Sequence, residues 1–180
     1  MKSRLLLVID VQAGFINDGT RHVVPRIESL LREHASVPVA FTRFVNSRDS
    51  SFVRFQQWKK MLGRKSIAIV PELRRRAVCV FDKCNYSGTT PEFMAHLRQH
   101  GIRTVYLCGL DTDGCVLATA FALFDHGIRP VILLPYCASS SAKDHHRHAC
   151  AVMKRSFGSA LVLGDRRSVT QALTSPDGGT

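Results

Sequence analysis

Short apolar runs alternate along this chain with longer segments whose apolar residues recur at helical spacing. Uninterrupted apolar runs suit the strands of a parallel sheet, because helices cover both faces of such strands. The apolar runs span residues 4–10, 37–42, 77–81, 104–108, 130–134 and 160–163. The helical segments span residues 25–34, 52–62, 90–100, 113–126 and 142–154. This alternation predicts an α/β fold: a three-layer, Rossmann-like open sheet of about six mainly parallel strands, with helices on both faces.

The length of the chain indicates a single domain. It has 180 residues, and a domain of this class takes roughly 100–200. We therefore assign residues 1–180 to one domain. The sequence after Gly164 is polar and ends in Ser-Pro-Asp-Gly-Gly-Thr, so we expect about the last 12 residues to be mobile.

Composition excludes several classes of protein. Hydrophobic residues make up 45% of the chain and charged residues 22%, which is typical of a globular protein rather than a disordered one. No apolar run approaches the ~20 residues of a membrane span, so we expect no membrane partner. The apolar run at residues 5–9 is too short for a signal peptide, so we expect a cytoplasmic location.

The six cysteines indicate reduced thiols rather than a disulfide framework. No Cys-x-x-Cys pair occurs among them, so a structural zinc site has little support. The absence of an export signal favours thiols over disulfides. Cys84, next to Lys83, is the one to watch as a second reactive thiol.

The chain is strongly basic, with a net charge of +11. Residues 74–76 form the only run of three arginines, and the other basic residues are scattered. Binding to nucleic acid requires clustered positive charge, so we expect no nucleic-acid partner. We expect a small-molecule substrate, and the surplus of positive charge favours an anionic one.

Three chemically active side chains follow strands of the predicted sheet. Asp10 ends the first strand, Lys83 follows the third, and Cys115 comes shortly after the fourth, in the first turn of a helix. The carboxyl ends of parallel strands share one edge of the sheet, where ligands bind in such folds. We therefore expect a carboxylate, an ammonium and a thiol to lie close together.

These three groups suit acyl transfer through a thioester. A helix N-terminus and the Lys83 ammonium should both lower the pKa of the Cys115 thiol. Asp10 could take the thiol proton and return it to a leaving amine. Each residue also has a plain structural interpretation when taken alone: Cys115 as a small core residue, Asp10 as a turn residue, Lys83 as a solvated cation.

Three sequence blocks carry a resemblance to a known family. They are Leu-Val-Ile-Asp10-Val-Gln-x-x-Phe15, Asp82-Lys83-x-x-Tyr86-Ser87-Gly88-Thr89 and Gly109-x-Asp111-Thr112-Asp113-x-Cys115-Val116-x-x-Thr119-Ala120. In order and spacing they resemble the isochorismatase-like cysteine hydrolase superfamily, in its nicotinamidase-related amidase branch. The resemblance implies an Asp10–Lys83–Cys115 catalytic triad and a homo-oligomer. It also implies a cis peptide bond between Leu110 and Asp111, and an oxyanion hole built from the N–H groups of Asp111 and Cys115.

Departures from the family pattern narrow the substrate. Nicotinamidases of this superfamily hold a metal through an Asp-x-His pair, which residues 41–49 lack. We therefore expect no catalytic metal and no cofactor, and we disfavour nicotinamidase activity. We expect Phe15, Asn46 and Tyr86 to line the substrate pocket. Phe52, Phe55 and Trp58 are interpreted as core or dimer contacts, and His145, His146 and His148 as solvated residues at a helix start.

The predicted activity is therefore hydrolysis of a small amide, ureido or related C–N bond through a thioester on Cys115. Two alternatives remain open. One is a metal-free, isochorismatase-type vinyl-ether hydrolase that uses Asp10 and Lys83 without the thiol. The other is a non-catalytic basic binding module.

Overall fold

A computed structural model describes residues 4–141 and 143–175 of the chain. Six strands form one sheet in the order β3-β2-β1-β4-β5-β6. The strands are β1 (Arg4–Ile9), β2 (Val39–Phe44), β3 (Val80–Lys83), β4 (Thr104–Leu110), β5 (Arg129–Ala138) and β6 (Val162–Leu163). Every neighbouring pair is parallel. With helices on both sides of this sheet, the predicted α/β architecture is confirmed.

Eight α-helices occur in the described part of the chain. They are α1 (Val23–Glu33), α2 (Ser51–Gln56), α3 (Arg64–Ile67), α4 (Pro71–Arg74), α5 (Pro91–Gln99), α6 (Leu117–Asp125), α7 (Lys143–Phe157) and α8 (Arg166–Thr174). A 3₁₀ turn at Ala13–Phe15 and a π-helical turn at Thr112–Val116 follow β1 and β4. None of the helices among these residues combines the length and apolar content needed to cross a membrane.

The strand order reverses between β1 and β4, and this position sets the site. The chain runs outward from β1 through β2 to β3, and then crosses back to β4. Crevices open at such reversals beyond the carboxyl ends of the strands. At this position β1 and β4 approach so closely that a Cβ on Gly109 would lie 2.1 Å from the carbonyl oxygen of Ile9. Gly109 also has a φ of +118°, which only glycine adopts readily.

A helix and a strand have other bounds than the sequence predicts. The helix expected at residues 52–62 ends early, at Gln56, because Gln57 adopts a left-handed conformation with φ +56°. The third strand begins at Val80 and ends at Lys83, later than the expected residues 77–81. Lys83 is therefore a strand residue, held by pairing with Phe44 of β2.

The end of the chain contains a helix that the alternation pattern does not predict. In α8, Val169 and Leu173 are buried, and the backbone oxygen of Ala172 accepts a 3.0 Å hydrogen bond from the Tyr106 hydroxyl. These contacts order part of the tail that we expected to be mobile. The rest of that expectation, at residues 176–180, lies outside the described residues.

Candidate active site

The three predicted catalytic side chains meet at the carboxyl edge of the sheet. The Lys83 ammonium lies 2.7 Å from the Asp10 carboxylate and 3.2 Å from the Cys115 sulfur. Asp10 is 0% exposed, Lys83 4% and Cys115 8%. The structure therefore places a carboxylate, an ammonium and a thiol in one buried cluster, with Lys83 between the other two.

The Asp10 carboxylate is held by the neighbouring strand. The residue follows β1 with a φ of +50°, and its N–H donates to the Thr42 hydroxyl over 3.2 Å. The same hydroxyl donates back to the carboxylate over 2.6 Å. Thr42 thus supports one carboxylate oxygen and Lys83 the other, which satisfies a charge that would be costly if buried alone.

The loop after β3 encloses the Lys83 ammonium. Besides Asp10 and Cys115, the ammonium contacts the backbone oxygens of Asn85, at 2.9 Å, and Tyr86, at 3.2 Å. It also lies 5.1 Å from the centre of the Phe44 ring, in cation–π range. Five groups that favour its charged form thus contact the ammonium.

Cys115 lies in the π-helical turn Thr112–Val116 between β4 and α6. The expected cis peptide bond between Leu110 and Asp111 is present at the start of this turn. Thr119 fixes the turn from below, since its hydroxyl donates to the Cys115 oxygen over 2.6 Å and accepts the Gly88 N–H over 2.8 Å. Thr119 thus links the backbone of Cys115 to the loop after β3, which also contacts Lys83.

Burial determines the protonation of the cluster. Burial, and then the negative charge of Asp10, raise the pKa of the Cys115 thiol above its ordinary range, while Lys83 acts in the opposite direction without compensating. This reverses our expectation of a lowered pKa, because loss of hydration outweighs the ammonium. Burial lowers the pKa of Lys83, but the Asp10 carboxylate and the hydrogen bond to the Cys115 sulfur outweigh it, and the net pKa is raised. The resting cluster thus holds a neutral thiol beside an ion pair.

A cavity of about 340 Å³ opens in front of the cluster. Its walls combine aromatic rings with a few polar groups: Gly14, Phe15, Asn17, Phe44, Phe52, Gln56, Trp58, Lys60, Tyr86, Asp111, Asp113, Gly114, Cys115, Ser140 and Ser141. Phe15 and Trp58 lie nearly parallel with centroids 6.3 Å apart, and Phe52 lies 4.9 Å from Tyr86. The thiol thus faces a cavity that is apolar and aromatic on one side.

Two of the three predicted pocket residues line this cavity. Phe15 and Tyr86 do so, and Asn46 does not. The Asn46 amide is buried and donates to the backbone oxygens of Trp58, over 3.2 Å, and Lys60, over 2.8 Å. Asn46 therefore holds the segment that presents Trp58 and Lys60 to the cavity, rather than facing the cavity itself.

Several cavity residues were not assigned from the sequence. No sequence motif includes Phe44, Gln56 or Lys60. From the sequence, Phe52 and Trp58 are interpreted as core or dimer contacts. In the structure, Phe52 and Trp58 pack on Phe44 and also line the cavity. The density of aromatic residues between positions 41 and 58 is the one signal that could have found them.

The side chain of Gln12 holds the backbone behind the aromatic wall of the cavity. In the sequence it is part of the first motif, with no role assigned to it. Its amide donates to the oxygens of Phe44, over 2.9 Å, and Ile67, over 2.8 Å, and accepts the Phe44 N–H over 2.8 Å. The side chain is fully buried. Gln12 therefore links the end of β1 to the end of β2 beside the cluster.

Acidic and serine side chains, with Asp111 and Ser140 among them, line the other side of the cavity. The Asp111 carboxylate accepts hydrogen bonds from the N–H and hydroxyl of Ser140, at 2.7 and 2.6 Å, and burial raises its pKa. His145 is exposed, as expected, but His146 is half-buried and its ring lies 2.8 Å from the Thr112 hydroxyl. Over residues 4–141 and 143–175, no three His, Cys, Asp or Glu side chains are grouped as metal ligands would be.

Comparisons with known proteins show one family. Residues 4–163 match the model of the isochorismatase domain. A protein from Xenopus laevis named isochorismatase domain-containing protein 2 is 31% identical over 143 residues, which cover 75% of this chain and 68% of that protein. Its namesake from Bos taurus is 28% identical, with 79% of this chain and 63% of that protein covered. The chain thus spans about two thirds of the length of these curated relatives.

Solved structures share the fold. An isochorismatase-like hydrolase from Alkaliphilus metalliredigens superposes with a TM-score of 0.77 and 19% identity, covering 84% of this chain and 91% of that one. N-carbamoylsarcosine amidase from Thermoplasma acidophilum gives a TM-score of 0.73 and 25% identity, covering 88% and 94%.

Proposed function

Because the chain belongs to the isochorismatase family, we propose that it is a hydrolase that cleaves a small amide, ureido or related C–N bond through a thioester on Cys115. The observation that carries the proposal is the buried contact of Lys83 with both Asp10 and Cys115, beside a cavity of about 340 Å³. The likeness to an N-carbamoylsarcosine amidase supports the choice of bond.

Asp10 is the proton carrier of the first half-reaction. Its carboxylate takes the proton of the Cys115 thiol as the sulfur forms a bond to the carbonyl carbon of the substrate. The resting thiol is neutral because burial raises its pKa, so proton removal accompanies attack. When the C–N bond breaks, Asp10 returns the proton to the leaving nitrogen and the acyl group stays on sulfur.

Water completes the cycle. Asp10 takes a proton from a water molecule whose oxygen attacks the thioester carbon, and the proton passes to the sulfur as the C–S bond breaks. Lys83 remains charged throughout, in keeping with its raised pKa, and stabilises negative charge on carboxylate and sulfur. The N–H groups of Asp111 and Cys115, two residues that line the cavity, would hold the oxyanion of both tetrahedral intermediates.

The cavity wall favours a planar or apolar acyl group. Aromatic rings such as Phe15, Phe44 and Trp58 offer flat surfaces. Lys60 lies among them, and its ammonium would bind a carboxylate on the substrate. The proposed substrate is thus a small amide or ureido compound with a flat or apolar body and an anionic group. The homo-oligomer stays a prediction, and light scattering tests it.

Ammonia release from a panel of small amides and ureido compounds tests the proposal. The panel pairs aromatic with aliphatic members and neutral with anionic members. We expect turnover of one or more compounds by the native protein and none by Cys115→Ala. Cys84→Ala is the matched control, since Cys84 is exposed and absent from the cavity wall, and it should keep full activity.

Two results would contradict the thioester. Amide turnover that survives in Cys115→Ala would exclude a thioester on that residue, whereas hydrolysis of a vinyl ether that needs Asp10 but not Cys115 would support the vinyl-ether alternative. Equal loss in Cys115→Ala and Cys84→Ala would mean that the loss of activity does not identify Cys115 as the nucleophile. An absence of turnover on the whole panel, with saturable binding of its members, would support a non-catalytic binding module.

A further inference from the structure

A second cavity lies at the carboxyl end of β5, between α1 and α7. It encloses about 500 Å³, and none of its lining residues lines the candidate active site. Because β6 is only two residues long, the pairing of β5 with β6 ends at Leu133 and Leu163. Beyond that point Leu134, Pro135 and Cys137 form a floor that the adjacent helices leave open.

Three cationic side chains stand around this cleft. Arg26 of α1 stands on one wall, and Arg147 and Lys154 of α7 on the other, with His22 and His146 nearby. No Asp or Glu is among the lining residues in the part of the chain that the structure describes. The positive charge of this cleft is therefore not balanced within it.

The contacts of these cations leave donors available. Arg26 uses one guanidinium nitrogen on the Pro135 oxygen, at 3.3 Å. Arg147 lies 3.3 Å from Asp144, an exposed carboxylate one turn away on the same helix and outside the cleft lining. Arg147 and Lys154 are seven residues apart, so both lie on one face of α7. Donors from two elements thus surround the same space.

The pKa values of the two histidines reflect burial and the positive charge near them. Burial lowers the pKa of His22, and the cations Arg26 and Lys143 lower it further. Burial also lowers the pKa of His146, with His22 adding to the effect. Cations that repel a nearby imidazolium would attract an anion placed between them.

We propose that this cleft is a binding site for a small anion that carries a phosphate group. A phosphate has two charges near neutral pH and several acceptor oxygens spread around one atom, so it can use guanidinium and ammonium donors from both walls at once. The cleft is open to solvent, and its volume of about 500 Å³ leaves room for the body of a phosphomonoester. The site is separate from the cavity at Cys115 and does not depend on the proposed amide hydrolysis.

Calorimetric titration with inorganic phosphate tests the site, at constant ionic strength in a chloride buffer near neutral pH. Glycerol 2-phosphate in a second titration distinguishes a site for free phosphate from one for phosphomonoesters. The variants are Arg26→Gln and Lys154→Gln, and the control is Arg98→Gln, which removes an equal charge from the exposed face of α5. Thermal unfolding of each variant verifies that it is folded. Because there are two independent cleft variants, the test stands even when one of them does not fold.

We expect saturable binding with one site per chain. Each cleft substitution should weaken it about tenfold or more, as loss of a charge-assisted hydrogen bond does, while Arg98→Gln leaves it unchanged. The imidazole signals of His22 and His146 in NMR spectra should move with the same affinity. Tighter binding of glycerol 2-phosphate than of phosphate identifies an organic phosphate, and equal binding identifies free phosphate. No saturation, saturation unaffected by the cleft variants, or equal weakening by Arg98→Gln would overturn the proposal.

Discussion

Two charged regions of this molecule follow opposite rules. In the cluster of Asp10, Lys83 and Cys115, nearly all surface is buried, and each charge has an opposite charge or a hydrogen bond within about 3 Å. In the cleft between α1 and α7, the Arg26 and Lys154 side chains are exposed and have no carboxylate beside them among the cleft lining. Solvent water stabilises the exposed charges of the cleft, whereas protein groups stabilise the buried charges of the cluster. Charge removal should therefore be severe in one region and mild in the other.

The largest effect is expected for Lys83→Met. The substitution keeps much of the side-chain volume but leaves the buried Asp10 charge unpaired, which costs about 3–5 kcal/mol of stability. Activity should be lost as well. Urea unfolding measures the free energy of unfolding, and Lys154→Met in the cleft is the matched control, expected within about 0.5 kcal/mol of the native protein. Similar losses in both variants would remove the contrast between the two regions.

Asp10→Asn should separate thiol reactivity from catalysis. Removal of the carboxylate takes away a charge that raises the pKa of Cys115, so alkylation of Cys115 by iodoacetamide should begin at lower pH. Catalysis should nevertheless fall about 10²–10⁴-fold, because the proton carrier is gone. Peptide mass spectrometry measures labelling, and ammonia release measures activity. A variant whose Cys115 labels at higher pH than the native thiol would contradict the assigned charge of Asp10.

Thr42→Val should weaken the cluster without removing a charge. The hydroxyl bonds to both the backbone and the carboxylate of Asp10, and leaving these groups unsatisfied costs about 1–3 kcal/mol. Thr170→Val, at an exposed position of α8, should change stability little. Thermal unfolding of the two variants in parallel measures the difference, and a null result for Thr42→Val would mean that another group replaces the hydroxyl.

Alkaline pH gives the smallest expected effect. The folded-state pKa of Cys115 lies above its unfolded value, so its contribution to stability is complete below the unfolded pKa and is lost as pH rises toward the folded one. Between about pH 7.5 and pH 9.5 the native protein should therefore lose about 1 kcal/mol more than Cys115→Ala. Unfolding curves at both pH values measure this. An equal loss in the two proteins would mean that burial does not hold the thiol neutral.

The same contrast explains what the sequence could reveal. Asp10, Lys83 and Cys115 lie at or just beyond the carboxyl ends of three strands of one parallel sheet, so topology and the positions of the strand ends bring them together. In sequence, Arg26, His146 and Lys154 each resemble an ordinary solvated residue, and the cleft that they share lies beyond the end of the two-residue strand β6. The length of such an edge strand is set by tertiary packing, which periodicity does not report.

The cavity wall falls between these extremes. Phe15 and Tyr86 were assigned from motifs, but Trp58 and Lys60 reach the cavity through an irregular segment after α2. The buried amide of Asn46 fixes that segment by long-range hydrogen bonds to its backbone. The protonation of Cys115 was also misjudged, because a sequence indicates which charges are near but not how completely water is excluded.

Detection of the acyl group on Cys115 tests the central claim most directly. The native protein is mixed with the best substrate of the amide panel, quenched in acid during turnover, digested and analysed by mass spectrometry. We expect the peptide containing Cys115 to gain the mass of the acyl group, and the peptide containing Cys84 to stay unmodified. Turnover that continues in Cys115→Ala, with no acyl group found on Cys115 of the native protein, would contradict the account.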